Sequence, residues 1–114
     1  MEEFKVPERI SEDVLVDIIN TKGIEHVDTI EEVRKYYEQC ENEANILAVA
    51  DYESRVASNR ANIGAQISMG RLFAKTKYRN EAFGYFEDAR VAASQDEHTK
   101  DLATIAEREI AALG

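Results

Sequence analysis

Residues 63–96 read IGAQISMGRLFAKTKYRNEAFGYFEDARVAASQD, and this stretch decides the fold. Ile63, Ile67, Leu72 and Phe73 recur at helical steps and anchor a first segment, 59–76. Ala82, Tyr85, Phe86 and Ala89 share one face of a second segment, 81–94, which Asn80 can cap. Lys75, Lys77 and Arg79 gather between them, where cations suit a helix C-terminus. The pattern contains no sustained strand alternation and no Asn-Gly or Asp-Gly hairpin turn. Two helices joined by a short turn are expected. Gly70 and Ala82 are small enough to let them approach closely.

The same reading extends in both directions. Downstream, Ser94–His98 is a polar turn, and Thr99 can cap a last helix, 100–113. Leu102, Ile105, Ala106, Ile110 and Leu113 face inward on it. Upstream, Ser11 can cap a short helix over 12–21, with Val14, Leu15, Ile18 and Ile19 as its apolar stripe. Gly23 follows as the residue just past its end. Thr29-Ile30-Glu31-Glu32 matches a capping box, and Asp28 can serve instead. Val33, Tyr37, Cys40, Ala44 and Leu47 then form a stripe. Residues 29–57 hold neither Gly nor Pro and read as one long helix or as two. A break near Cys40–Asn45 is preferred, because uninterrupted helices of that length are uncommon in small domains.

The expected fold class is therefore all-α, with five or six helices in antiparallel hairpins and no sheet. The chain, 1–114, is expected as one helical domain. Residues 1–28 form an N-terminal segment with a short helix, and 29–114 form the packed hairpins. Composition agrees: 114 residues with 44% apolar side chains suit one globular domain rather than a disordered tail. No stretch approaches 18 uninterrupted apolar residues, so no membrane span is expected. All fifteen alanines lie between Ala44 and Ala112, which predicts closely packed helices there. Met1-Glu2-Glu3 has no basic or apolar leader character, and Cys40 is the single cysteine. Both point to a reducing, cytoplasmic setting.

Residues 53–58, ESRVAS, resemble residues 88–93, DARVAA, at an offset of 35. That offset is close to the roughly 34-residue tetratricopeptide period. The unit 63–96 resembles a tetratricopeptide repeat. Gly70, Phe73, Ala82, Phe86 and Ala89 stand where that family places small residue, aromatic, Ala, aromatic and Ala. Gln66, Ser94 and Tyr78 depart from the pattern. The resemblance implies a right-handed superhelix of hairpins whose first-helix face binds peptides. A generic small helix bundle would use similar spacing. A chain this short is then a capped fragment of that architecture or pairs with a second copy as a homodimer.

Chemistry is sparse. There is no Walker loop, GxGxxG, HExxH, CxxC or GxSxG. Gly23 and Gln95 stand three residues before His26 and His98, where a di-iron bundle needs Glu. No catalytic residue, cofactor or metal is expected. Cys40 has acidic sequence neighbours, which disfavour thiolate, and reads as a buried small hydrophobe. Tyr37 is expected in the core, leaving Tyr36 to cover a boundary or meet a partner.

Charge is the most informative feature. The net charge is -9, from 23 acidic and 14 basic residues. Residues 1–53 carry 15 acids and 5 bases, whereas 54–80 carry 6 bases and no acid. The bases in that window are Arg55, Arg60, Arg71, Lys75, Lys77 and Arg79. They either neutralise acidic neighbours within the fold or form an anion-binding surface. Under the tetratricopeptide resemblance, Arg71 and Lys75 fall on the peptide-binding face. Arg71, Lys75, Arg60 and Tyr36 are thus the candidate partner-binding residues, and the implied partner is a protein or peptide of acidic character. Direct nucleic-acid binding is disfavoured by the net charge. The expected function is a non-catalytic adaptor. The alternatives are a small acidic regulator imitating nucleic acid and a self-associating assembly subunit.

Overall fold

The computed structural model describes residues 10–50 and 52–113. It is all-α. The helices are α1 (Glu12–Lys22), α2 (Val27–Val49), α3 (Ser54–Ala74), α4 (Arg79–Ser94) and α5 (Lys100–Leu113), with a 3₁₀ turn, Glu97–Thr99, before α5. There is no strand among the described residues.

Each helix from α2 onward packs chiefly on its neighbour in sequence, and the short connections make those neighbours antiparallel. α3 is the centre. α2 and α4 flank it, their backbones not meeting, while α1 and α5 both reach its back. Two ion pairs fix α5 parallel to α3: Arg60–Asp101 at 2.7 Å and Arg71–Glu109 at 3.0 Å. The resulting body is flattened, 49 × 39 × 19 Å.

Local sequence explains most boundaries. α1 ends at Gly23, whose φ of 88° lies in the region that favours glycine, and whose N–H donates to the Ile19 carbonyl. Asn20 Oδ1 accepts from the Lys77 N–H at 2.9 Å, tying the end of α1 to the α3–α4 turn. Ser11 stands at the α1 N-cap, but its hydroxyl makes no capping bond. α2 begins earlier than the capping box implies. His26 is its N-cap, and its Nδ1 accepts from the Asp28 N–H at 3.1 Å. Thr29 is drawn inward instead. The expected break near Cys40–Asn45 is absent: α2 runs unbroken to Val49. α3 consequently starts at Ser54 rather than 59. α4 starts at Arg79, with Tyr78 rather than Asn80 at its cap. Thr99 is buried, and its hydroxyl donates to the Ala93 carbonyl at 2.7 Å, closing the α4–α5 turn.

The core draws on every helix. Leu15 and Ile19 anchor α1, and both are fully buried. Each such side chain contributes about 1.5–3 kcal/mol of transfer free energy. Val14, expected beside them, is 58% exposed. On α3, small residues (Ala57, Ala61, Ala65) alternate with Ile63, Ile67, Met69, Leu72 and Phe73, so the helix is buried on two sides. α4 supplies Ala82, Phe86, Ala89 and Ala93, all fully buried. Gly64 faces α2: a β-carbon there would stand 3.6 Å from Ala44 Cβ, an ordinary contact distance.

Candidate functional site

Asn59, Asn62, Gln66, Met69 and Phe73 follow one another at steps of three and four, so they share one face of α3. Asn59 and Asn62 are exposed and Gln66 half-buried, so this face is an open strip that runs down to the buried Met69 and Phe73. From Asn59 to Phe73 the strip is about 21 Å long. Three depressions lie along it. Two are polar and share Asn59 and Asn62. The third, at the Phe73 end, has a volume of about 400 Å³ and is the apolar one.

This apolar groove is walled by three helices. α2 contributes Thr29, Ile30, Val33, Arg34 and Tyr37; α3 contributes Met69 and Phe73; α4 contributes Glu81 and Tyr85. The rings of Phe73 and Tyr85 stack with centroids 5.5 Å apart. The Tyr37 hydroxyl accepts from Asn62 Nδ2 at 3.0 Å, joining the groove to the amide strip. Asn62 Nδ2 also donates to Glu41 at 3.3 Å. Burial pushes the phenols of Tyr37 and Tyr85 above their ordinary range. Carboxylates add to this, Glu41 at Tyr37 and Glu81 with Asp88 at Tyr85. Thr29 is 1% exposed, and its hydroxyl has no hydrogen-bond partner among the described residues.

The residues singled out in the sequence lie elsewhere. Arg60, Arg71 and Lys75 each stand two positions from a residue of the open strip, which is about 200° around α3. They face its back. Arg60 forks onto both oxygens of Asp101, donates to the His98 carbonyl at 2.8 Å and lies 4.7 Å over the Tyr52 ring. Arg71 Nε donates to Glu109, and Lys75 Nζ pairs with Glu12 at 2.8 Å. Lys75 is accordingly held above its ordinary pKa by Glu12. Arg79 donates to the Leu113 carbonyl. The four are thus engaged within the fold, while Arg55 is exposed. The two tyrosines exchange the places expected for them. Tyr36 is 7% exposed and belongs to the core, and Tyr37 is the half-buried one that borders the groove.

Comparison with family models, curated proteins and solved structures gave no match. The site is therefore read from its own chemistry. Among the described residues no group of three or more His, Cys, Asp or Glu could hold a metal. His26 and His98 are exposed, and Cys40 is buried. No described helix is long and apolar enough to cross a membrane.

The groove was missed in the sequence because Phe73 and Tyr85 read only as inward-facing residues; Phe73 is indeed buried, with Met69 beside it, and the groove opens above them. The amides at 59, 62 and 66, leading at helical steps into Met69 and Phe73, were the available signal.

Proposed function

We propose that this chain is a non-catalytic protein-interaction module that holds a segment of a partner protein along the open face of α3. The observation that carries this reading is the apolar groove walled by α2, α3 and α4. Its volume lies within the range of about 300–1,000 Å³ typical of ligand sites. It is lined by aromatic and aliphatic side chains and continues into a strip of amides. Amide side chains offer both a donor and an acceptor, which suits a polypeptide backbone. The tetratricopeptide-like spacing supports the same reading, since Gly70 and Phe86, two of its positions, pack face to face. A reducing, cytoplasmic setting belongs to the proposal.

Selection of displayed random peptides on the immobilised protein tests it. Enriched peptides should bind saturably and lose binding to Ile30→Glu and Tyr37→Ala variants. Ile30 is 55% exposed, so its replacement leaves the core intact. Failure to select any saturable peptide, or binding indifferent to both variants, overturns the reading.

A second reading, self-association, has its own observation. Ile46, Leu47, Val49 and Tyr52 crowd the α2–α3 end, with Leu47 76% exposed. A solvent-facing apolar cluster of this kind marks interaction surfaces. Sedimentation should then show an oligomer that Leu47→Glu dissociates.

A further inference from the structure

We propose that the groove takes a segment carrying Lys or Arg together with apolar residues, not an acidic one. This rests on the interaction-module reading above and specifies its partner. The charge around the open face carries it. Glu81 stands at the rim of the apolar groove, and Glu41 and Asp96 line the polar depressions beside it. Asp88 acts on Tyr85 from α4. The single cation of the groove wall, Arg34, is already paired with Glu38 at 2.9 Å. Of the basic window, Arg60, Arg71 and Lys75 face the other way and are held by Asp101, Glu109 and Glu12, while the exposed Arg55 stands four positions before Asn59, at the end of the face away from the groove. The groove end of the open face therefore presents negative charge beside aromatic rings. That combination attracts an organic cation, through the carboxylates and through the ring faces. Met69, Phe73, Val33 and Ile30 leave room for apolar side chains next to it.

Thr29 is the independent observation. A hydroxyl buried without a partner is costly, and this one lies in the groove wall. A backbone amide or carbonyl of the bound segment would satisfy it. Thr29→Val keeps the side-chain shape and removes the hydroxyl. It should raise the unfolding midpoint of the free protein while weakening binding.

The experiment titrates the full chain into two labelled peptides, one of alternating leucine and lysine and one with glutamate replacing each lysine. Fluorescence anisotropy reads binding. The lysine peptide should bind saturably and the glutamate peptide should not. Glu81→Gln should weaken the lysine peptide by up to about fivefold. Tyr85→Ala should weaken it by about tenfold or more. Asp17→Asn, on α1 outside the groove, should leave it unchanged. Circular dichroism confirms that each variant is folded. Equal binding of both peptides overturns the proposal. So does an Asp17→Asn loss equal to that of Glu81→Gln, which would mean attraction to net charge alone, or Thr29→Val binding as tightly as wild type. If the display selection instead returns acidic or neutral peptides that still depend on Ile30 and Tyr37, the module reading stands and this inference falls.

Discussion

A β-carbon on Gly70 would overlap the ring of Phe86, which is itself fully buried. The ring has no solvent to move into. Gly70→Ala gains about 1 kcal/mol of helix propensity but must overpack a closed site at about 1–3 kcal/mol. The net effect should be a loss, read as a lower urea midpoint. Phe86→Leu in the same chain should recover part of it, because the smaller side chain leaves room for the new methyl group. A non-additive double-mutant cycle is the expected signature.

Gly84 offers the opposite sign. It also lies within a helix, yet a β-carbon there meets nothing within 4 Å. Gly84→Ala should therefore stabilise by about 0.5–1 kcal/mol. A fall in the midpoint would mean that this face of α4 is covered in solution.

Arg60 joins the α2–α3 turn, α3 and the start of α5 through one side chain. It is 17% exposed, while Asp101 is 59% exposed, so the pair lies between the surface and buried cases. Arg60→Ala should cost about 1–2 kcal/mol. Arg60→Lys should recover little, because an ammonium cannot fork onto two oxygens.

The same pair sets a pH dependence. The Arg60 guanidinium holds the Asp101 carboxyl below its ordinary value of 3.8. A depressed acid contributes stability that is complete above the unfolded value and is lost as pH falls through the folded one. The stability gap between wild type and Asp101→Asn should be full at neutral pH and shrink in that acid range. A gap that stays constant would remove the ion pair as its cause.

Tyr85 should act at the other extreme. Its phenol is raised above 10.0, first by burial. The unfolded phenol therefore ionises before the folded one, so the stability this adds is complete below the unfolded value and is lost as pH rises through the folded one. Tyr85→Phe should flatten this alkaline loss, measured by urea unfolding across the range.

The all-helical architecture was legible because α3 and α4 carry their apolar residues at helical steps and Gly23 marks a stop. The site was not, for reasons that lie in tertiary contact. Tyr36 and Tyr37 are adjacent, and a single stripe can choose only one of them. α2 packs on both α1 and α3, so a second face is buried and Tyr36 takes it. The α2–α3 turn carries no Gly or Pro at 50–53, which left its position open. Arg71 and Lys75 do share a face, as their spacing requires. Which face was open to solvent depended on where α5 and α1 came to rest, and only the fold determines that.

Packing each helix on its predecessor has a kinetic consequence. Most contacts join residues close in sequence, so little loop entropy must be lost before contacts form. Chains of this kind fold in microseconds to milliseconds. The long-range exceptions are the links that pin α5 and α1 to α3, Arg60–Asp101 and Lys75–Glu12 among them. These form last on such a route, and the outer helices should open first. Amide hydrogen exchange would then be slowest along α3, with protection falling off toward α1 and α5. The open face would keep its shape while the edges of the molecule breathe.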